Sequence, residues 1–575
     1  MLGKLFSYMK QYKKYAWAAM FCVAVESIFE LVIPLIMADM VDIGVANQDK
    51  AYIFEKGGLM ILCALLALIL GIGSAKFSAL CGQGLGANLR EAEYKKLQSF
   101  SFSNIDHFRV SSLVTRLTSD VTVIQNSVST GVRPVCRAPV MLVMATGAAF
   151  FINKDLALVF LVALPVLGFL LFEIVLHVRP LYTRMQSAID LVNRIVQENL
   201  IAIRVVKAYV RGDYEKQKFT EVNENLRAQS ETAFKLAALN MPAMQFVMYS
   251  TILAILWFGG GKIRTGGLQV GELTGFLSYV LQILNSLMMI SNVFMMLTRS
   301  MASGRRILEI MEEEVEITDE EAKPIEVKRG AIRFEHVYFK YRQNAEEYVL
   351  SDINLDIKEG QTVGIIGQTG AAKTTLVQLI PRLYEASRGC VYVDGIPVQQ
   401  YPLVHLRDAI AVVLQKNTLF SGTVKENLRW GKEDATEEEI GEACQIACVD
   451  EFIDRLEKGY DTDLGQGGVN VSGGQKQRLC IARAVLKKPK VLILDDSTSA
   501  VDTATEAKIR QGLAEKLPDM TKIIIAQRIT SVLHADQIVI LDDGRIDAVG
   551  THEQLLAQNR IYQEIYRSQQ EGGQL

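Results

Sequence analysis

Gly367-Gln368-Thr369-Gly370-Ala371-Ala372-Lys373-Thr374-Thr375 follows an apolar run, Val363-Gly364-Ile365-Ile366, and precedes Leu376-Val377-Gln378-Leu379-Ile380, which has the spacing of a helix. Strand, glycine-bearing loop, Lys-Thr and helix together lay out a phosphate cradle. Successive backbone N–H groups of such a loop point at phosphate oxygens, and the start of the helix adds the positive end of its dipole. In that layout Lys373 reaches the β- and γ-phosphates and the Thr374 hydroxyl ligates Mg²⁺. ATP is the expected ligand. Ala372 stands where the usual pattern has Gly, and its methyl group is expected to fit only if φ there is negative.

Five further stretches accompany the loop in a fixed order. Tyr341, closing Phe339-Lys340-Tyr341, is placed to stack on adenine. Gln415, after Leu414 at a strand end, carries an amide that can reach Mg²⁺ or water. In Val471-Ser472-Gly473-Gly474-Gln475-Lys476-Gln477-Arg478, Ser472 reads as an N-cap and the two glycines allow close approach to a phosphate. Val491-Leu492-Ile493-Leu494-Asp495-Asp496 is a buried strand ending in carboxylates, the first of which is the expected Mg²⁺ holder. Ser499-Ala500-Val501-Asp502 and the strand Ile523-Ile524-Ile525-Ala526-Gln527-Arg528 complete the set. Each stretch alone would pass for an ordinary turn or strand end. All of them in this order would not.

Around these motifs, residues 331–567 alternate short β-runs with helices and form an α/β domain, with 568–575 as a tail. Residues 311–330 are polar and acidic and contain Pro324, which marks a linker. The first 310 residues differ in kind. Apolar stretches near 15–38, 57–81, 134–153, 156–178, 237–259 and 273–298 each approach or exceed the roughly 20 residues that span about 30 Å of hydrocarbon. The connections 82–133 and 179–236 carry the Lys/Arg excess and are expected on the cytoplasmic side, as helical extensions of the spans. Ser103–Phe108 and Lys207–Tyr214 interrupt them as turning points. Residues 1–14, with lysines among Leu5, Phe6, Met9 and Tyr12, read as a short amphipathic helix lying on the membrane surface.

Glu26 and Glu30 share a face of the first span, and Glu173 and His177 share one on the fourth. Charge inside a membrane faces a cavity or a partner. The two glutamates therefore contact either a cationic or polar cargo or neighbouring helices across a wet cavity. The sixth span is rich in methionine (Met288, Met289, Met295, Met296, Met301), which suits either a promiscuous wall or ordinary packing.

Composition bounds these readings. Half of the 575 residues are hydrophobic and the net charge is −3, which excludes a basic nucleic-acid binder and a disordered tail. Eight scattered cysteines suggest no disulfide framework, and Cys444 and Cys448, one turn apart, read as a helix packing face rather than a zinc site. No cleavable signal is expected ahead of the first apolar run.

With six spans followed by one cassette, the chain resembles ATP-binding-cassette exporters over essentially its whole length, and Ser472-Gly473-Gly474-Gln475 is similar to the family signature. The resemblance implies a multi-pass protein of the bacterial cell membrane. It also implies a head-to-tail cassette dimer in which each ATP site joins one chain's phosphate loop to the other chain's signature. Residues 103–108 and 207–214 would be the coupling helices. Three positions depart from the family pattern: Asp496 stands where Glu is usual, Gln527 where the switch His is usual, and Gln466 where exporters place Glu. His534 is off position and reads as a surface residue. Aspartate retracts the catalytic base by roughly 1.5 Å, and misplacing a base costs about 10²–10⁴ in rate. The chain therefore resembles the degenerate-site half of a heterodimeric multidrug-type exporter, with a second half-transporter as partner and amphipathic drugs or lipids as cargo. A homodimer that binds ATP with little turnover, acting as a channel or sensor, is the reading from a different class.

Overall fold

The computed structural model describes residues 2–497 and 500–572; Ser499 and the side chain of Met295, both singled out above, lie outside this description. The chain divides into two units, Met1–Leu97 with Ser111–Glu312, and Gln98–Val110 with Glu313–Leu575.

The first eleven helices are α1 (Leu2–Ser7), α2 (Lys13–Asp39), α3 (Lys50–Gln98), α4 (Phe102–His107), α5 (Val110–Thr115), α6 (Val121–Ile152), α7 (Lys154–Ile201), α8 (Ile203–Ala208), α9 (Gly212–Ala237), α10 (Asn240–Arg264) and α11 (Val270–Glu312). Among the described residues, six helical stretches are long and apolar enough to cross a membrane. The charged connections continue as helix, with α3 running to Gln98 and α7 to Ile201. Polar contacts fix how the first and last spans meet. Tyr279 on α11 donates its hydroxyl to Leu31 O on α2 at 2.6 Å. Asp42 accepts from the backbone N–H groups of Gly271 and Glu272, satisfying donors at the start of α11 that have no intrahelical partner.

Two expectations change here. Residues 1–14 do not form a single surface-lying helix. The segment breaks after Ser7, and Leu5 and Met9 are buried in one cluster with Leu85, Leu89, Ile124 and Ile307. A crevice between helices gives those side chains close-packed contact on all sides, which a lipid surface does not. The short helix expected at the second turning point is α8 at 203–208, shifted upstream from 207–214, because the chain turns through Tyr209–Arg211, with Val210 at φ 53°, before α9 begins at Gly212.

Among the described residues the second unit holds ten strands: β1 (Ile332–Phe339), β2 (Leu350–Ile357), β3 (Thr362–Ile366), β4 (Arg388–Val393), β5 (Ile396–Pro397), β6 (Ile410–Val413), β7 (Val491–Asp495), β8 (Thr521–Ile525), β9 (Gln537–Asp542) and β10 (Arg545–Gly550). One sheet has the order β2-β1-β4-β5 and the other β10-β9-β3-β8-β7-β6. In the second sheet β6, β7, β8, β3 and β9 run parallel. They are continuous apolar runs because both faces of the sheet are covered. Parallel strands deliver their following loops to one edge, so the segments after β3, β6, β7 and β8 open on the same side. Cys444 and Cys448 are buried in the apolar cluster around the helix Glu437–Ile446. The last helix, Arg560–Gly572, runs through the expected boundary at 567.

Candidate functional site

At that shared edge the loop after β3 closes on itself. Lys373 Nζ donates to Gly367 O at 2.7 Å and to Gln368 O at 2.8 Å. Gly370 adopts φ 91°, and Ala372 adopts φ 65° immediately before the helix Lys373–Gln378. The negative φ expected at Ala372 is therefore overturned. The αL turn that aims successive N–H groups inward is kept with alanine in it, at a cost of roughly 1–2 kcal/mol relative to glycine.

Thr374 donates its hydroxyl to Asp495 Oδ1 at 2.9 Å, across β3 and β7. A hydroxyl and a carboxylate facing each other, with no nitrogen or sulfur donor, suit a hard oxygen-seeking cation such as Mg²⁺. Asp496 follows at φ 47°, and Gln527, after β8, donates Nε2 to Asp496 Oδ2 at 2.7 Å. Gln415 hydrogen-bonds the same carboxylate. Burial pushes the Asp495 and Asp496 carboxyls above the usual range; Thr374 draws the first back, and Gln415 and Gln527 draw back the second. Burial pulls the Lys373 ammonium below its usual value, with Asp496 and Asp495 partly restoring it. The structure thus brings Lys373, Thr374, Asp495, Asp496, Gln415 and Gln527 together.

Tyr341 lies just past β1 with its ring about half exposed and its hydroxyl 2.8 Å from Thr375 Oγ1. Its ring meets Tyr384 edge-on at 5.2 Å. Tyr384 in turn donates its hydroxyl to Asp106 Oδ2 on α4 at 2.5 Å and packs against Phe102. Asn104, also on α4, is buried and donates to Glu314 O. A chain of side chains therefore joins α4 to the helix after the phosphate loop.

Ser472–Gln475 occupies a different place. Ser472 caps the helix Gly473–Leu486 in a reciprocal capping box with Gln475, and Ser472 and Gly473 are exposed. Gln477 accepts from Ala500 N at 3.0 Å, and a Cβ at Gly474 would fall 2.8 Å from Ala500 O. Gln466 and His534 are exposed.

Glu26 and Glu30 meet two arginines on α6. Arg133 Nη2 donates to Glu26 Oε1 at 2.5 Å, and Arg137 reaches Glu26 Oε1 at 3.5 Å and Glu30 Oε2 at 2.5 Å. Of the two sequence readings, the helix–helix contact is the one observed. The partners were legible, since Arg133 and Arg137 repeat the one-turn spacing of Glu26 and Glu30. No comparable signal marks Tyr384, or Gln569 on the last helix, whose amide accepts from Ile529 N and donates to Gln527 O.

Comparison with known proteins places this geometry. Residues 16–287 match the family described as ABC transporter transmembrane region, and residues 350–499 match ABC transporter. The chain is 40% identical over 568 residues to "Uncharacterized ABC transporter ATP-binding protein YfiB" of Bacillus subtilis (strain 168), covering 99% of this chain and 98% of that protein. It is 31% identical to "ATP-dependent lipid A-core flippase" of Chromobacterium violaceum, covering 98% and 97%. A solved structure, "Structure of a bacterial Atm1-family ABC exporter with ATP bound", superposes with a TM-score of 0.81 at 22% identity, covering 97% of this chain and 99% of that one. The chain belongs to the ABC transporter family, as an ATP-binding exporter half-transporter that crosses the cell membrane several times.

Proposed function

We propose that this half-transporter is the degenerate-site subunit of a heterodimeric, multidrug-type exporter of amphipathic small molecules. The observation that carries the reading is the 2.7 Å hydrogen bond from Gln527 Nε2 to Asp496 Oδ2. A general base must turn a free lone pair toward the attacking water. Here the carboxylate is shorter than glutamate and already engaged by two amides, and Gln527 cannot carry a proton. The site keeps its binding parts and lacks its hydrolytic ones.

In this reading the phosphate-loop backbone and Lys373 bind the phosphates, and the exposed ring of Tyr341 offers a face to adenine. Thr374 and Asp495, with Gln415 beside them, hold Mg²⁺, which when bound neutralises charge on the phosphate oxygens. Ser472, Gly473, Gly474 and Gln475 serve the partner's nucleotide, and the exposure of Ser472 and Gly473 leaves that helix start open to it. Val205 on α8 and Tyr209 and Val210 in the turn after it are exposed, an apolar surface for the partner's cassette. ATP closes the two cassettes, the spans turn outward, and hydrolysis at the partner's site resets them. Lipid-like cargo is favoured by the relative named as a lipid flippase.

Steady-state ATPase of the purified complex tests this assignment. Asp496→Asn should lower turnover by less than about threefold, because a displaced base supplies little of the usual 10²–10⁴. Gly473→Asp should abolish most of it. Gly473 is the better probe than Gly474, since its added Cβ meets only Ala500 Cβ at 3.7 Å. Equal losses in the two variants, or purification as a homodimer without a second chain, would overturn the heterodimeric degenerate-site reading.

A further inference from the structure

The strand that leads to Gln527 ends before reaching it. Ala526 N makes the last bond to the neighbouring strand, to Ile365 O on β3 at 3.3 Å. Beyond it the chain leaves the sheet, and backbone groups that lose their strand partners must find side chains or water. Gln569 supplies two such partners at once. Its Oε1 accepts from Ile529 N at 2.8 Å and its Nε2 donates to Gln527 O at 2.7 Å. One side-chain amide thus closes a fork on the two backbone groups that flank Arg528. Two bonds from one planar group fix the orientation of that segment as well as its position. On the site side, the same segment presents the Gln527 side chain, which donates to Asp496 Oδ2.

The helix that carries Gln569, Arg560–Gly572, is itself anchored. At its start Asn559 accepts from Tyr562 N at 2.8 Å and donates to Asp547 Oδ2 on β10 at 2.6 Å. Tyr562 is fully buried, with its hydroxyl 2.7 Å from His552 Nδ1. Ile565 and Tyr566 pack on the cluster that holds Ile529 and Val532. Tyr562, Tyr566 and Gln569 recur at i, i+4 and i+7, so they share one face of the helix. That face is aromatic where it covers the core and ends in an amide where the 527–529 backbone needs partners.

We propose that Gln569 is a positioning residue of the nucleotide site, holding the 527–529 segment so that the Gln527 amide faces the terminal phosphate of bound ATP. That amide has two N–H groups; one meets Asp496, and the second serves a phosphate oxygen. The terminal phosphate is the one within reach, because the Lys373 ammonium, the group for the β- and γ-phosphates, acts on the same Asp496 carboxylate. ADP lacks that phosphate, so the last helix should matter for ATP and not for ADP. The proposal rests on placing Gln527 and Asp496 in the ATP site, and it holds whether or not that site hydrolyses.

The test is photolabelling of the full chain, with any partner chain it carries, by azido-ATP and azido-ADP with Mg²⁺ on ice, where turnover stops. Label is read in this chain's own gel band, which keeps a partner's phosphate loop out of the measurement. Gln569→Ala should raise the half-saturating azido-ATP concentration by about three- to tenfold and leave that for azido-ADP within about twofold. Hydrogen exchange over residues 527–531 should quicken in the same variant. Gln569→Glu keeps the acceptor and loses the donor, so its azido-ATP value should fall between those of the parent and the alanine variant. Gln569 is exposed and alanine favours helix, so the fold is not at stake. Equal weakening for both nucleotides would mark a merely structural helix and overturn the proposal, as would an unchanged azido-ATP value despite quickened exchange. Gln527→Ala separates the two readings. If it weakens azido-ATP labelling while Gln569→Ala does not, this proposal fails and the site assignment stands. If neither variant does, Gln527 lies outside the site and both fail.

Discussion

Ala372 shows how much one methyl group can be asked to bear. Its φ of 65° is dictated by the cradle, not by alanine. Ala372→Gly would relieve roughly 1–2 kcal/mol of αL strain but add about 0.5–1 kcal/mol of chain entropy lost on folding. Relief of strain outweighs the lost entropy, so the cassette should gain a few tenths of a kcal/mol or more, read as a higher urea midpoint at unchanged m. The same αL turn serves loop and ligand, so ATP affinity should move by less than about twofold. A lowered midpoint would show that the methyl is packing usefully.

Asp495 is the second residue with a measurable signature. Burial holds its carboxyl above the ordinary value, and the neighbouring Asp496 adds to the rise. The folded chain therefore binds that proton more tightly than the unfolded chain does. As pH falls toward the raised pKa, this proton favours the fold, and the carboxylate that Mg²⁺ requires disappears over the same range. The gain in ATP affinity on adding Mg²⁺ should shrink on acidification while the pH is still above about 3.9, the unperturbed aspartate value. A gain that stays flat down to that value would contradict the assignment of Asp495.

Among elements, α4 has contacts that reach toward the nucleotide site. The path runs Asp106, Tyr384, Tyr341, Thr375. Tyr384→Phe keeps the ring and removes the hydroxyl bond to a carboxylate, a contact worth about 1.5–3 kcal/mol. Basal ATPase should change little, while stimulation by cargo should fall. An unchanged ratio of stimulated to basal rate would show that the path carries no coupling.

The same elements show what could be read from the sequence. The phosphate loop, the capped start at Ser472 and the six apolar stretches are local patterns, each complete within some twenty residues. The Tyr384–Asp106 bond joins positions 278 residues apart, and Gln569 reaches Gln527 O across 42. Neither leaves a trace in local spacing. The surface helix expected at 1–14 failed for the same reason: the pattern showed an apolar face, and distant residues on α3, α6 and α11 determined what covered it. At α8 the pattern located the break but not its bounds, since helix resumes on both sides of Tyr209–Arg211.

For the whole molecule, the proposed dimer would have the chain supply half of two chemistries and need a second chain for both. In that proposal its phosphate loop, Asp495, Asp496 and Gln527 form one half of one nucleotide site, and Ser472–Gln475 form part of another. That division is why substitutions in one cassette should fall into two classes of effect and not one graded series. It is also why a purified single chain is a poor measure of activity.

The arginine–glutamate chain also has a consequence for how the protein is made. Arg133 and Arg137 stand at the start of the third apolar stretch, 134–153, where each raises the cost of the span's release into the bilayer by less than the roughly 2.5–3.5 kcal/mol of a central position. Arg133 and Arg137 place that burden on α6, and their partners Glu26 and Glu30 arrive earlier, on α2. The third span should therefore enter the membrane efficiently only while the first waits beside it. Glycosylation mapping in microsomes would report this as correct insertion of α6 in the intact chain. Insertion should fall when α2 is replaced by a plain polyleucine span, and recover when Arg133 and Arg137 are replaced by leucine as well.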